Sequence, residues 1–279
     1  MDQDGVNIQA LLGERYANGR GAGELRLPDG RLAVAKRAHA RGASLVEAAG
    51  LDWLRSSGTV RVPEVYAADE QWLLTERITA GSAGAPAEFG AALAGLHASG
   101  APAFGAVASA QELGGWVGTA PLPLAESDSW ARWYAEHRVL FYLRMAADQG
   151  SIDAEGARLI ERVTERLPEL GGPPEPPARL HGDLWNGNVL WDGAGQAWLI
   201  DPSAHGGHRE TDLAMLALFG CPRLPEILDG YTDRWPLADG WRERIPLHQL
   251  FPLLVHTVLF GGGYAGSARR AALAALRIG

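Results

Sequence analysis

The chain has 279 residues, 47% hydrophobic and 21% charged, with a net charge of −8. That is enough apolar material for one large domain or two lobes sharing a cleft, and the acidic balance argues against a nucleic-acid surface, which needs a basic patch. Cys221 is the only cysteine, so a disulfide framework and a cysteine-based zinc site are both excluded, and a reducing cytoplasm is expected.

The first residues, MDQDGVNIQALL, lack the basic region and apolar core of a secretory leader. NGRGAG (18–23) follows. Its glycines could let backbone N–H groups approach phosphates, or could simply form a flexible turn. No Gly-Lys-Ser/Thr follows, so it is not a Walker A loop. GELRLPDGRLAVAKR (23–37) reads as two alternating strands around Pro-Asp-Gly. SLVEAAGLDWLRSSG (44–58) has helical spacing and stops at Gly58. Residues 60–69 and 71–78 read as further strands.

Helices are expected from there. Residues 86–100 place Phe89, Leu93 and Leu96 on one face, with Pro86 at the start and Gly100 past the end. Residues 128–150 read as one long amphipathic helix, and 153–170 as another that ends at Pro168. GGPPEPPA (171–178) reads as a stiff connection. NVLWDGAGQAWLIDPS reads as two strands around Asp192-Gly193, and the chain after 208 as mostly helical. LFPLLVHTVLF (250–260) is too short to span a bilayer and contains Pro252 and His256, so it reads as a buried helix and no membrane association is expected.

The chemistry concentrates in HGDLWNGN (181–188) and IDPS (200–203). Asp183 and Asn188 are close enough in a loop to face one point, Asp183 as a proton acceptor and Asn188 as a neutral oxygen ligand. The 189–199 hairpin would return Asp201 beside Asn188. An amide and a carboxylate oxygen together suit Mg²⁺, completed by substrate phosphates. A polar turn with a helix cap is the alternative for either motif alone. Upstream, Lys36 shares a strand face with Val34, and Glu47 lies on the inward stripe of Leu51 and Leu54. A lone carboxylate there is costly, so Lys36 is its natural partner. A snorkelling lysine and a solvated glutamate are the alternative.

HGDLWNGN, IDPS and GHRETDLAML (207–216), with DGRLAVAKR, EAAGLDWLRSSGTVRVPEVY and WVGTAPLP (116–123), resemble the fructosamine kinase (ketosamine 3-kinase) family across most of 20–220. That family belongs to the aminoglycoside-phosphotransferase-like group. The resemblance implies an α+β, bilobal protein-kinase-like fold: an N-terminal nucleotide-binding lobe over 1–78, with a five-stranded antiparallel sheet and one helix, and a mainly helical catalytic and acceptor-binding lobe over 79–279. It implies ATP and Mg²⁺ as cofactors and a glycated amine or glycated lysine as acceptor, phosphorylated on the sugar 3-hydroxyl. The phosphate would then leave by elimination and free the amine, a deglycation. By the same resemblance Asp183 is the base, Asn188 and Asp201 hold Mg²⁺, Lys36 meets the α/β-phosphates and Glu47 orients it. Glu76–Ile78 is the hinge that meets adenine through its backbone, and His181 and Asp212 support the catalytic loop. Trp185 could stack on the acceptor or pack in the core. Trp116, Trp130 and Trp133 could do either, and read first as packing residues. The sequence departs from the family at NGRGAG, where a Gly-Asp-Ile-Asn-like loop is usual, and at SAHGG (203–207), where aromatic residues are usual. Two other readings are a kinase of the same fold for an aminoglycoside, choline or other alcohol, and a non-catalytic nucleotide-binding module.

Overall fold

The computed structural model describes residues 8, 12, 22–82, 84–108 and 113–278. NGRGAG lies outside them except for Ala22 and Gly23, which open the first strand. Strands β1 (Ala22–Arg26), β2 (Leu32–Arg37), β3 (Val65–Ala68) and β4 (Trp72–Glu76) form an antiparallel sheet in the order β1-β2-β4-β3. It has four strands among the described residues, not the expected five. The β1–β2 turn is built by Pro28-Asp29-Gly30: the Asp29 carboxylate accepts the Arg31 N–H at 2.9 Å, and Gly30 takes φ 91°. Alternation then sorts β2 into two faces. Ala33 and Ala35 pack with Leu27, Trp72 and Leu74 under Ile8 and Leu12. Val34 and Lys36 face the opposite side, where helix α1 (Ala43–Arg55) crosses.

The helices that follow are laid on a second core. Helix α2 (Pro86–Ala98) buries Phe89, Leu93 and Leu96, the stripe expected from the sequence. These residues share one cluster with Leu51, Leu54, Val62 and Leu73 from the sheet region, and with Leu184, Leu199 and Leu213 from the helical region. Burial of each such side chain contributes roughly 1.5–3 kcal/mol, so the core that seats α1 is shared with the helical region.

Two expected helices are broken. Residues 128–150 form α3 (Trp130–Tyr134), a π-turn (Ala135–Val139) and α4 (Leu140–Asp148). Residues 153–170 form α5 (Ala154–Glu165), capped by Asp153, and a short α6 (Leu167–Leu170). The break falls at Arg166, ahead of Pro168, because proline has no N–H to bond back into the preceding turn. Beyond α6 come β7 (Ala178–Leu180), the hairpin β8 (Val189–Trp191) and β9 (Ala197–Leu199), and then β10 (His205–Gly207), which pairs with β7. Earlier in the chain, between α2 and α3, β5 (Trp116–Val117) and β6 (Ala120–Pro121) form a small hairpin. Helices α7 (Arg209–Leu218), α8 (Leu224–Arg234), α9 (Trp241–Phe260) and α10 (Gly263–Ala275) complete the chain. Residues 250–260 lie in α9, largely buried against α3, α4 and α10. Among the described residues no helix is long and apolar enough to cross a membrane.

Helices α2 and α8 meet backbone to backbone. A Cβ on Gly90 would sit 1.9 Å from the Ile227 carbonyl oxygen, and one on Gly230 would sit 2.0 Å from that of Ala87. Gly90→Ala should therefore force the two helices apart and cost about 1–3 kcal/mol, as overpacking does. Urea denaturation that gives the wild-type midpoint would refute this contact.

Candidate active site

The segment 181–188 leaves β7 and turns under a buried carboxylate. Asp212, in the first turn of α7, accepts the backbone N–H of His181 at 2.8 Å and that of Gly182 at 3.0 Å. The His97 Nε2 approaches the same carboxylate at 3.2 Å, and His97 Nδ1 lies 2.8 Å from the Tyr231 hydroxyl. Burial works against the Asp212 charge, yet the hydrogen bonds and the His97 and His181 fields hold its pKa below the usual value. Gly182 adopts φ 81°, and a Cβ there would strike the Ser203 carbonyl oxygen at 2.1 Å. The turn therefore requires glycine.

His181 is fully buried and wired on both ring nitrogens. Its Nε2–H donates to the Ile200 carbonyl at 2.9 Å, and its Nδ1 accepts the Asp183 N–H at 3.3 Å. Burial keeps the ring neutral, lowering its pKa. Its ring thus bridges the Ile200 carbonyl and the Asp183 amide.

Asp183 sits at the floor of the cleft. The Asn188 Nδ2 donates to its carbonyl at 2.8 Å and to its carboxylate at 3.2 Å. Burial raises the Asp183 pKa to about 6, assisted by the Asp201 and Asp212 charges and opposed by Asn188 and Lys36. Pairing of β8 with β9 brings Asp201 back beside Asn188: the Ile200 N–H bonds the Asn188 carbonyl at 3.1 Å. Asp201 takes φ 52°, one of two non-glycine residues with positive φ among those described.

Lys36 and Glu47 meet as the alternation and the helical stripe require. Lys36 Nζ lies 3.0 and 2.8 Å from the two Glu47 oxygens and 3.1 Å from Asp201 Oδ1. Burial opposes the lysine charge, but the two carboxylates outweigh it and raise the Lys36 pKa. Glu76, Arg77 and Ile78 line a slot beside Lys36 with Val34, Leu190 and Ile200. The Glu76 N–H is already donated to the Glu64 carbonyl at 2.8 Å and the Arg77 N–H to that of Leu32 at 3.1 Å. Of these three amides, Ile78 alone is without a backbone partner among the described residues.

Lys36, Glu47, Asp183, Asn188 and Asp201 also line a cleft of about 400 Å³, walled by Trp116, Leu122, Leu124, Trp185 and Ser203. Trp185 is 40% exposed and meets Phe219 edge-on at 6.3 Å. Trp130 and Trp133 pack as expected, Trp133 with 2% exposure and Trp130 stacked on Tyr134 at 5.0 Å. Trp116 instead lines the cleft, and His39 meets its ring edge-on at 5.7 Å. Neither that placement nor the role of His97 carries a local sequence signal; both come from contacts between distant segments.

Residues 35–277 match the model of a family described as fructosamine kinase. The chain is 35% identical over 213 residues to a probable ketoamine kinase of Enterococcus faecium, covering 75% of this chain and 74% of that protein. It is 32% identical over 233 residues to the chloroplastic protein-ribulosamine 3-kinase of Arabidopsis thaliana, covering 80% and 68%. The crystal structure of a Thermobifida fusca YX-ER1 protein assigned as a fructosamine-3-kinase aligns with a TM-score of 0.86 at 47% identity, covering 91% of this chain and 88% of that one. Sheet, helices and intervening cleft thus define a kinase with a bilobal α+β, protein-kinase-like fold. The chain belongs to the fructosamine kinase family.

The β7–β10 pair that supports the loop also contains His205, buried and donating from Nδ1 to the Ser203 carbonyl at 2.7 Å. Burial, with Arg138 nearby, lowers its pKa to about 3. An unfolded histidine titrates near 6.5. Stability from keeping this ring neutral is therefore whole above about pH 6.5 and falls away as pH drops toward 3, by up to about 1.4 kcal/mol per unit. The melting temperature should decline between pH 6.5 and 5, and His205→Asn should flatten that slope; equal slopes in the two proteins would contradict the assignment.

Proposed function

We propose that this kinase uses ATP and Mg²⁺ to phosphorylate the 3-hydroxyl of ketosamines, the ribulosamine, erythrulosamine or fructosamine adducts of amines and protein lysines, and so begins deglycation. The observation that carries the reading is the convergence of Asp183, Asn188, Asp201 and the Glu47-held Lys36 on one cleft, in a chain whose relatives are ketoamine kinases. Asp183 orients the acceptor hydroxyl and takes its proton; burial raises its proton affinity, which suits a base. Lys36, fixed by Glu47, supplies positive charge to the α/β-phosphates. Catalysis is positioning and charge neutralisation more than covalent chemistry.

The residues fit Mg²⁺. Asn188 uses its amide nitrogen on Asp183, leaving its oxygen, and Asp201 offers a half-exposed carboxylate. Two hard oxygen donors with room for water and phosphate suit that ion. When bound it would neutralise the phosphate charge. Adenine would lie in the Val34–Ile200 slot and take its backbone hydrogen bond from Ile78, since the amides of Glu76 and Arg77 are engaged. Trp185 would lie against the acceptor. We take 78/79 as the boundary between the lobes, and we assign the protein to the cytoplasm, in keeping with its single free cysteine.

A panel of lysine ketoamines from C4 to C6 sugars, read by ATP consumption with the phosphate located by NMR, should give 3-phosphates. Transfer only to an aminoglycoside or choline would replace this reading with a kinase for another alcohol, and ATP binding without transfer would indicate a nucleotide-binding module. Chelation of Mg²⁺ should silence turnover. Asp183→Asn should lower kcat by roughly 10²–10⁴-fold, the usual reach of a general base, while ATP binding measured by calorimetry is retained. Near-normal turnover in that variant would remove Asp183 from the base role.

A further inference from the structure

One wall of the cleft is the β5–β6 hairpin with the residues that run on from it to 125, and the two sides of residues 121–125 are used differently. Leu122 and Leu124 face the cleft. The carbonyls of the alternate residues point away from it, into the helical region, and each meets a side chain of the helix that follows. Tyr142 donates its hydroxyl to the Pro121 carbonyl at 2.7 Å, Arg138 its guanidinium to Pro123 at 3.1 Å, and Trp133 its indole N–H to Ala125 at 2.8 Å. The spacing matches an extended chain, in which alternate residues face opposite ways.

The helix must be irregular to do this. Arg138 and Tyr142 are four residues apart, one α-helical turn, but Trp133 and Arg138 are five apart, which a straight α-helix would place on different faces. The π-turn Ala135–Val139 absorbs the extra residue and aligns all three donors. Arg138 itself is 1% exposed and stacks at 4.2 Å on the Trp133 ring. Among the described residues no carboxylate pairs with it, and its Nε has no partner. A buried cation without a counter-ion is a poor way to stabilise a core, where an apolar side chain of similar size does as well or better. Its hydrogen bond to the cleft wall accounts for its presence.

We propose that Arg138 is a positioning residue, aligned by the π-turn with Trp133 and Tyr142 as a three-point clasp that holds the 116–125 wall in place, and that this clasp sets affinity for the amine-bearing part of the acceptor. The wall it presents, Trp116 with Leu122 and Leu124, is apolar, so the part of the acceptor received there is the hydrocarbon chain beyond the reacting sugar. This last step rests on the ketosamine reading above.

The test compares Arg138→Met and Tyr142→Phe with the wild type by steady-state kinetics and by hydrogen exchange. Arg138→Met keeps an unbranched filler in the packed site and removes the donors; Tyr142→Phe removes one hydroxyl and leaves the ring in place, which guards the test against misfolding. In Arg138→Met the acceptor KM should rise about tenfold, and in Tyr142→Phe about threefold, the scale of one lost buried hydrogen bond. The ATP KM and kcat should stay within about twofold, and the melting temperature of Arg138→Met should hold or rise. Amides of 116–125 should exchange faster in both variants while those of β2 and α1 do not change. Unchanged exchange in 116–125 in both variants, or an ATP KM that rises in step with the acceptor KM, overturns the clasp. Should the wild type transfer phosphate to no ketoamine, the ketosamine reading falls, and the exchange comparison still decides whether the clasp exists.

Discussion

One buried carboxylate organises the site. Asp212 accepts two consecutive backbone amides, those of His181 and Gly182, and lies within reach of the His97 ring. An unpaired amide in such a place costs about 1–3 kcal/mol, so the loop and α7 stand or fall together. Because Asp212 lies in the first turn of α7, its charge also faces the positive end of that helix. From this anchor the chain can afford the glycine turn at 182, and His181 can span from the loop to the strand end at Ile200.

A second constraint joins the sheet to this anchor. Lys36 on β2 is held between Glu47 on α1 and Asp201 beyond β9. Helix α1 in turn buries Leu51 and Leu54 in a core shared with the helical region, and its Gly50 lies beside Ala204 and Pro202. The lysine is thus located by packing that extends into both halves, and the cleft between them has a fixed floor.

Much of this was legible in the chain itself. Glu47 on an apolar stripe and Lys36 on an inward strand face could each be read from periodicity, and their pairing follows from the cost of burying either alone. HGDLWNGN and IDPS carried the loop and its return hairpin, because Asp192-Gly193 marks the turn between two short apolar runs. What could not be read depends on contacts between distant segments. The π-turn at 135–139 has no residue signature, since it serves the register of Trp133, Arg138 and Tyr142 against carbonyls earlier in the chain. The placement of Trp116 on the cleft, and of His97 against Asp212 115 residues away, is likewise tertiary. The helix break at Arg166 was displaced from Pro168 because the missing N–H acts on the turn before it.

Asp201 occupies a left-handed backbone conformation that glycine or asparagine would enter with less strain. Such positions commonly cost about 1–3 kcal/mol. Stability alone would therefore favour losing the carboxylate here, while the charge facing Lys36 favours keeping it. At this residue backbone strain and the ion pair with Lys36 pull the same side chain in opposite directions, so a substitution that relieves the backbone also releases the lysine from one of its two carboxylates.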